Sequence, residues 1–441
     1  MPERFAAAPA HPQLVRAIGR WSMAALTVNC VIGSGVFGLP SQIAAYVGRA
    51  SIAAVLMAGA VAGVIMACFA EVASRFTDTG GPYLYVRTAF GRLMGVETAW
   101  LVWFVRLTAC AANVNLFVTY LAEFWPPATN PIPRFSMVTL LVAVIAGINF
   151  RGVRMGTHVN NIFTAAKLSA LALVAIAGGW FLLHTVGAPG LAVFARPGNG
   201  SPSPHAWAQA MVLLVFAYGG FEAALISTGE VENPRRDTVF GLFAALVICT
   251  TIYALIQWVV VGVLPDPGHS TRPLADVART VMGPTGASLV AVGALFSIYG
   301  YLSGNMLAVP RMTFALAERG DFPSVFAAVH PNFRTPHISI LVFALLLWLF
   351  SFFGNFTGNA TLSAGARLFY YGAVCAALPA LRNKQPGAAL FRLPAGNLFG
   401  VLGLVLCIAL VTRVDFSNSL LLGSVIAVGF VNWLLLKKKQ T

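Results

Sequence analysis

Long apolar stretches separated by short polar segments run along almost the whole chain. A membrane-spanning helix needs roughly 20 mainly apolar residues, and by that measure the sequence predicts about twelve spans. The fourth, ninth and eleventh are short, which helix tilt and local thinning of the bilayer accommodate. The spans cover residues 22–46, 52–75, 93–121, 136–150, 158–184, 206–229, 238–263, 285–316, 338–353, 360–381, 397–412 and 417–436. The pattern therefore predicts an all-α membrane protein.

Composition supports this prediction. Of the 441 residues, 58% are hydrophobic and only 10% are charged, whereas an average soluble domain is about 25% charged. All six cysteines fall inside apolar stretches without a CxxC pair, so they are interpreted as small packing residues rather than disulfides or metal ligands.

The net charge of +14 indicates orientation rather than nucleic-acid binding, because the basic residues lie between apolar stretches and not on one soluble face. Most of the 28 lysines and arginines lie on the side of the N-terminus. By the positive-inside rule both termini are cytoplasmic, in a multi-pass protein of the cytoplasmic (inner) membrane. The basic loops should also attract anionic lipid. Residues 1–20 are interpreted as a polar tail, since no cleavage site follows a short apolar stretch.

Two spans contain helix-breaking residues near their middle. The first span carries Gly33-Ser34-Gly35 and then Gly38-Leu39-Pro40, and the sixth carries Phe216-Ala217-Tyr218-Gly219-Gly220. Such breaks release backbone groups that hydrocarbon cannot satisfy unless the break lines a cavity. Corresponding breaks about five spans apart indicate an inverted-repeat transporter with its binding site at the midplane.

The ends of the broken helices determine which ligand fits. Exposed N–H groups at a helix start favour a carboxylate, and freed carbonyls at the end of the other half favour an ammonium group. A ligand with both groups is an α-amino acid. The alternative is that these glycines only allow close helix packing, which two matched breaks make less attractive.

Four motifs carry a resemblance to a known family. They are IGSGVF at residues 32–37, GGPYLYVR at 80–87 followed by Phe90-Gly91, GFE at 220–222, and EVENPRR at 230–236. In this order and spacing the chain resembles the amino acid–polyamine–organocation (APC) superfamily of permeases over most of its length. The motifs say little about the substrate.

The resemblance implies a LeuT-type fold of two inverted five-helix repeats plus two helices. The core would be residues 21–382, with repeats at about 21–185 and 205–382, followed by two further spans in 383–436 and a cytoplasmic tail, 437–441. By the same resemblance, the amides of Ser34 and Gly35 would hold the substrate carboxylate. The amino group would meet carbonyls next to the breaks, and an aromatic gate would cover the substrate. The residues implied are Val31, Ile32, Phe216 (also the gate), Ala217 and Gly219.

Lys167 lies near the middle of the fifth span. A lysine in mid-membrane costs about 2.5 kcal/mol or more and marks function by default. Sodium-independent members of the family carry a lysine at the matching place. Lys167 is therefore predicted to couple transport to protons or to replace a sodium ion as a fixed charge. Alternatively, it pairs with carbonyls of the first span without titrating, which would suit an exchanger.

Arg106 in the third span departs from the family pattern. A guanidinium stays charged, so Arg106 needs a partner. We favour a structural ion pair with Glu222, and the alternative is that Arg106 faces the cavity and binds an acidic side chain. In that case cationic substrates become unfavourable.

Other polar residues complete the candidate set. Glu71 and Arg75 lie one helical turn apart and are predicted to belong to an inner gate, with a solvated helix end as the alternative. Asn305 is predicted to reach the substrate. Tyr370 and Tyr371 are interpreted as interface or packing aromatics, with a role in the site as the alternative. Arg367 is placed near the outer end of its span, where it could snorkel to the interface, and receives no role.

The function that these features favour is secondary active transport of an amino acid, sodium-independent and proton-coupled. The first alternative is an obligatory exchanger, which would make the protein an antiporter rather than a symporter. The second is a membrane sensor that binds an amino acid without transporting it. The sequence has no Walker loop, HExxH motif or Cys/His cluster, so it offers no support for an enzyme, a cofactor or a metal. By the resemblance, the missing cysteine after the third span argues against a disulfide-linked heavy subunit. The sequence leaves the oligomeric state open.

Overall fold

The structure, a computed structural model, describes residues 18–76, 80–152, 157–184, 202–225 and 230–437. Within these ranges no β-strand forms, and extended pairing is limited to one bridge between Ile18 and Val231. The helices, numbered here in chain order, are α1 (Arg20–Val31), α2 (Gly35–Val47), α3 (Ser51–Ala73), α4 (Gly81–Phe90), α5 (Arg92–Leu121), α6 (Pro131–Phe150), α7 (Thr157–His184), α8 (Pro204–Tyr218), α9 (Phe221–Ala224), α10 (Pro234–Val263), α11 (Pro273–Glu318), α12 (His337–Phe353), α13 (Phe356–Lys384), α14 (Gly396–Val411) and α15 (Phe416–Lys437). The all-α prediction is confirmed.

Each predicted span coincides with one helix or with a broken pair. The first span consists of α1 and α2, the sixth consists of α8 and α9, and α4 is a short helix between the second and third spans. In the described chain, nine helical stretches are long and apolar enough to cross a membrane, with α2 and α3 joined in one of them, and α12 and α14 are shorter apolar helices. The chain is a multi-pass membrane protein.

Burial separates central helices from peripheral ones. The apolar window of α5 is 89% buried inside the protein, whereas those of α6 and α15 are 17% buried. Hydrocarbon is as apolar as leucine, so peripheral helices can expose apolar side chains without cost. The central position of α5 places its polar residues beside the two breaks.

Ion pairs to a buried aspartate tie the helices together at the end of the bundle where α1 begins, here called the N-terminal face. Asp321, after α11, is fully buried and pairs with Arg87 of α4 and Arg92 of α5. Tyr83 also donates to Asp321. Burial, together with the Asp321 carboxylate, raises the pKa of the Tyr83 hydroxyl, so this hydroxyl stays a donor at neutral pH.

Candidate substrate site

The first break separates α1, which ends at Val31, from α2, which begins at Gly35. Among the described residues, no acceptor is found for the backbone N–H groups of Gly33, Ser34 and Gly35. The Ser34 hydroxyl is also buried without a partner there. Because a helix start leaves its first N–H groups unsatisfied, this break presents several open hydrogen-bond donors.

The first break is shorter than the sequence indicated. Gly38 and Pro40 lie inside the continuous helix α2 rather than in the break, so that part of the prediction is wrong. The Pro40 carbonyl accepts a hydrogen bond from Gln257 Nε2 at 3.1 Å. Pro40 is the sixth residue of α2, and a proline inside a transmembrane helix is tolerated where neighbouring groups satisfy the backbone groups that it frees.

The second break consists of Gly219 and Gly220, between α8 and α9. Gly220 has φ +110°, and a Cβ there would lie 2.3 Å from the Cys30 carbonyl oxygen. Both facts require glycine, because a side chain would be strained by φ and would collide with the backbone of α1. The two breaks therefore cross in direct contact.

Protein side chains bind several of the carbonyls freed by the breaks. The Tyr253 hydroxyl of α10 lies 3.0 Å from the Val31 carbonyl oxygen and 3.0 Å from that of Ala217. Arg367 Nη1 donates to the Phe216 carbonyl oxygen at 3.4 Å. One end of each broken helix is thus held by α10.

Lys167 of α7 is buried against the end of α1. Its Nζ donates to the Ile32 carbonyl oxygen at 2.7 Å, to the side-chain oxygen of Asn29 at 2.6 Å and to the Asn29 carbonyl oxygen at 3.2 Å. An ammonium group has three N–H donors, so these contacts use its full capacity.

The Glu222 carboxylate collects donors from three other elements. It accepts hydrogen bonds from the Gly220 N–H at 2.8 Å and from the hydroxyls of Tyr370 and Tyr371 at 3.0 and 2.9 Å. Arg367 Nε lies 3.4 Å away, and Arg106 Nη2 lies 3.9 Å away. Two guanidinium groups therefore share one carboxylate, with Arg367 the closer.

The placement of Arg367 overturns the prediction that it snorkels to the interface. Its residue surface is 2% exposed, and its guanidinium lies against Gly219, where a Cβ would be 1.9 Å from Nη1. The physical reason is that the Glu222 carboxylate and the Phe216 carbonyl replace the water that a snorkelling arginine would seek.

Two neighbouring cavities meet at the breaks. A small one, about 20 Å³, is lined by residues of both breaks and by Asn113, Tyr301 and Arg367. A large one, about 660 Å³, extends from Gly33 to Arg319 at the N-terminal face. The large volume is in the range of small-molecule sites.

Aromatic rings pack against both broken helices beside the small cavity. The rings of Phe216 and Phe356 meet edge to face at 6.3 Å. A Cβ on Gly38 would lie 2.6 Å from the Phe356 ring, so the aromatic ring packs directly on the α2 backbone. The large cavity, in contrast, extends from the first break to Arg319 at the N-terminal face.

Comparison with known proteins decides the family. A sequence profile described as amino acid permease matches residues 18–431. This chain belongs to the amino acid permease family. The APC resemblance of the motifs is thereby confirmed.

Curated relatives of this permease are transporters by name. It is 27% identical over 427 residues to the methylthioribose transporter of Bacillus subtilis (strain 168), covering 92% of this chain and 90% of that protein. It is 28% identical over 351 residues to the serine/threonine exchanger SteT of the same organism, covering 77% of each chain. It is also 28% identical over 393 residues to the vacuolar cationic amino acid transporter 2 of Arabidopsis thaliana, covering 85% of this chain and 61% of that protein.

The permease brings most of the predicted site residues to one place. Those that line the small cavity are Val31, Ser34, Gly35, Phe216, Ala217 and Gly219. Those that line the large cavity are Ile32, Arg106, Lys167 and Asn305. Asn305 donates to the Tyr301 carbonyl of its own helix at 2.9 Å. Glu222 lines neither cavity, and its carboxylate accepts a hydrogen bond from the Gly220 N–H of the second break.

Glu71 and Arg75 lie away from both cavities. They form a buried pair at 3.0 Å, and Glu71 also pairs with Arg382 of α13 at 2.6 Å. Arg75 donates to the Gln385 carbonyl at 2.7 Å. These contacts tie the end of α3 to the end of α13.

Sequence reasoning missed three residues of the permease site: Asn113, Tyr253 and Tyr301. Asn113 Oδ1 is buried without a partner among the described residues and borders the small cavity. The rule that flags intramembrane charges could have identified Arg367 as well. No comparable pattern distinguishes Tyr253 from other tyrosines before helix rotation is known.

Proposed function

We propose that this permease is a secondary transporter that carries an amino acid across the cytoplasmic membrane by alternating access. The observation that carries the proposal is the set of open donors at the first break. The N–H groups of Gly33, Ser34 and Gly35 and the Ser34 hydroxyl have no acceptor in the described chain, and these three residues line the small cavity. The start of α2 adds a partial positive charge, so a carboxylate fits there.

The amino group of the substrate would bind on the other side of the small cavity. Asn113 Oδ1 is a buried acceptor that lacks a partner in the described structure, and an unpaired buried acceptor gains most from a charged donor. The carbonyls of Val31 and Phe216 each already accept one hydrogen bond. Each keeps a second lone pair, so the predicted carbonyl contacts supplement Asn113.

Alternating access would proceed around the fixed crossing of the breaks. With both termini cytoplasmic, as the basic loops indicate, the large cavity is the cytoplasmic entrance and Phe216 with Phe356 forms the outer closure. Two inverted repeats, about 21–185 and 205–382, would rock against each other. In this scheme Glu71 and Arg75 fix the inner ends of the helices rather than gate the path.

Lys167 would set the energy source. We propose that it replaces a sodium ion at the end of α1, and that loss of its proton weakens the α1–α7 contact during proton-coupled transport. Its bonds to Asn29 and Ile32 are those expected of a bound cation. Because these bonds use all three donors, they also favour the second candidate, an obligatory exchanger in which Lys167 stays charged.

Uptake by proteoliposomes tests these proposals. Purified wild-type protein is reconstituted and supplied with a panel of labelled amino acids, with and without an inward proton gradient and without sodium. We expect concentrative uptake of at least one amino acid, stimulated by the gradient. Absence of uptake for every amino acid would contradict the transport proposal, and uptake that needs internal substrate and ignores pH would select the exchanger.

The Lys167→Ala variant tests coupling, with Lys384→Ala as the matched control. Lys384 donates to the Ala89 carbonyl at the end of α4 and lies outside both cavities. For a proton-coupled protein we expect Lys167→Ala to lose more than about tenfold in gradient-driven uptake, and Lys384→Ala to keep it. Equal gradient dependence in the two variants would exclude a coupling role for Lys167.

A further inference from the structure

The charged side chains that line the large cavity, among its described residues, all carry positive charge. Four cationic side chains line the large cavity, and no aspartate or glutamate does so among its described lining residues. The four are Arg106, Lys167, Arg311 and Arg319. A cleft lined by one sign of charge concentrates ions of the other sign.

Arg106 lies where the large and small cavities meet. Ala99, Val102 and Arg106 of α5 line the large cavity, whereas Ala109 and Asn113 line the small one. These positions are spaced three and four residues apart, so they form one stripe along the helix. Arg106 is the last large-cavity residue before the stripe enters the small cavity.

The charge of Arg106 is incompletely neutralised. Its nearest carboxylate in the described chain, Glu222, lies 3.9 Å away, beyond hydrogen-bond distance. Glu222 already accepts three hydrogen bonds, from Gly220, Tyr370 and Tyr371, and pairs more closely with Arg367 at 3.4 Å. One carboxylate cannot balance two guanidinium groups, so a net positive charge borders the substrate path.

The spacing along α5 fits one ligand with two anionic groups. Arg106 and Asn113 are seven residues apart, about 10 Å along the helix. The Arg106 guanidinium lies 3.9 Å from Glu222, which accepts a hydrogen bond from the Gly220 N–H beside the small cavity. A substrate whose α-amino and α-carboxylate groups lie between Asn113 and Ser34 would point its side chain toward Arg106. A side-chain carboxylate would then form the charge-assisted hydrogen bonds that Glu222 does not supply.

We infer that the transported amino acid has an acidic side chain and that Arg106 binds its carboxylate. This inference rests on the proposed function and narrows it to aspartate, glutamate and chemically similar anionic amino acids. The same positive charge disfavours lysine and arginine as substrates. The positively charged lining beyond Arg106 would draw the anion along the path.

Competition in wild-type proteoliposomes tests the inference without any variant. Unlabelled aspartate, glutamate, asparagine, glutamine and lysine compete for uptake of a labelled transported amino acid. We expect an acidic amino acid to compete at least tenfold better than its uncharged amide of equal size, and lysine to compete least. A preference for an amide or for lysine would contradict the acidic class while leaving amino acid transport intact.

The Arg106→Gln and Arg106→Lys variants then test the residue. Arg106→Gln should reduce kcat/KM for the acidic substrate at least tenfold, mainly through KM, and should shift preference toward the amide. Arg106→Lys should recover part of the acidic preference because it keeps the charge but not the planar geometry. Arg413→Gln, at an exposed position outside both cavities, is the matched control.

The outcomes distinguish a failure of the role of Arg106 from a failure of the proposed transport function. An unchanged acid-to-amide ratio in Arg106→Gln would contradict the role of Arg106. Thermal unfolding of the variant checks its fold, and if it is unfolded, the wild-type competition still decides the substrate class. Failure to transport any amino acid would contradict the proposed function and this inference together.

Discussion

The two helix breaks differ in which partners their polar groups have. At the first break, the N–H groups of Gly33, Ser34 and Gly35 and the Ser34 hydroxyl have no acceptor in the described chain. At the second, Gly220 donates to Glu222 and the Phe216 carbonyl accepts from Arg367. At the first break the N–H groups are open and the carbonyls of Val31 and Ile32 are bound by Tyr253 and Lys167. At the second break, protein groups bind both a donor, the Gly220 N–H, and an acceptor, the Phe216 carbonyl.

The difference indicates that the first break binds the ligand and the second break supports it. Backbone groups away from water must find partners or line a cavity. The second break finds its partners in Glu222, Arg367 and Tyr253, and it therefore forms a fixed support. The N–H groups of the first break lack acceptors in the described chain, and this break borders both cavities, so a ligand would supply the missing acceptors.

Removal of the closest cation at the second break should have the largest effect on stability. Arg367→Met leaves the buried Glu222 without its 3.4 Å partner and the Phe216 carbonyl without a donor. Breaking a buried pair costs about 3–5 kcal/mol. We expect a clear fall in the thermal unfolding temperature of the purified protein.

Arg106→Met is the matched control, because Arg106 lies 3.9 Å from the same carboxylate and borders the large cavity. Its loss should cost less than that of Arg367, because at 3.9 Å it makes no hydrogen bond to the carboxylate. Equal losses for the two variants would show that the second break does not depend on Arg367.

Adding a side chain at the second break should have the next largest effect on stability. Gly220→Ala forces alanine to φ +110° and brings its Cβ to within 2.3 Å of the Cys30 carbonyl oxygen. Strain and overpacking together should cost about 2–4 kcal/mol. Gly147→Ala, on α6 with no atom within 4 Å of the new Cβ, should unfold near the wild-type temperature. A wild-type unfolding temperature for Gly220→Ala would be inconsistent with the close crossing.

A substitution at the first break should weaken binding and spare stability. Ser34→Ala removes a hydroxyl that has no partner within the described protein, so folding loses little. A hydrogen bond to a charged substrate group contributes about 1.5–3 kcal/mol, and we expect the KM for uptake to rise roughly 10- to 100-fold.

Ser41→Ala is the matched control for Ser34→Ala. Ser41 lies two turns further along α2, is equally buried, and also has a hydroxyl without a partner in the described residues. It lies outside the lining of both cavities. If both variants raise KM equally, the effect belongs to α2 packing and not to the substrate.

The positions of the breaks could be predicted from the sequence, because glycines interrupt an apolar stretch locally. The Gly33-Ser34-Gly35 and Gly219-Gly220 breaks were predicted correctly, and so was the buried placement of Lys167. The extent of the first break was not predicted, since whether Pro40 breaks a transmembrane helix depends on whether neighbouring groups satisfy the backbone groups that it frees. The boundaries of the two repeats and the roles of the site residues remain predictions.

Side-chain facing could not be predicted from the sequence. Arg106 and Arg367 are both arginines within apolar spans, yet Arg106 borders the large cavity and Arg367 lies against Gly219 at the small one. Successive residues of a helix point about 100° apart, and the rotation of each helix is set by all of its neighbours. Asn113 and Tyr253 escaped prediction for the same reason.

A structure of the protein with its amino acid bound would test the central claim most directly. We predict that the substrate carboxylate lies about 3 Å from the N–H groups of Ser34 and Gly35, with Arg367 still against Gly219. A substrate carboxylate held by Arg367, after that side chain has left Glu222, or a substrate bound away from both breaks, would contradict the account.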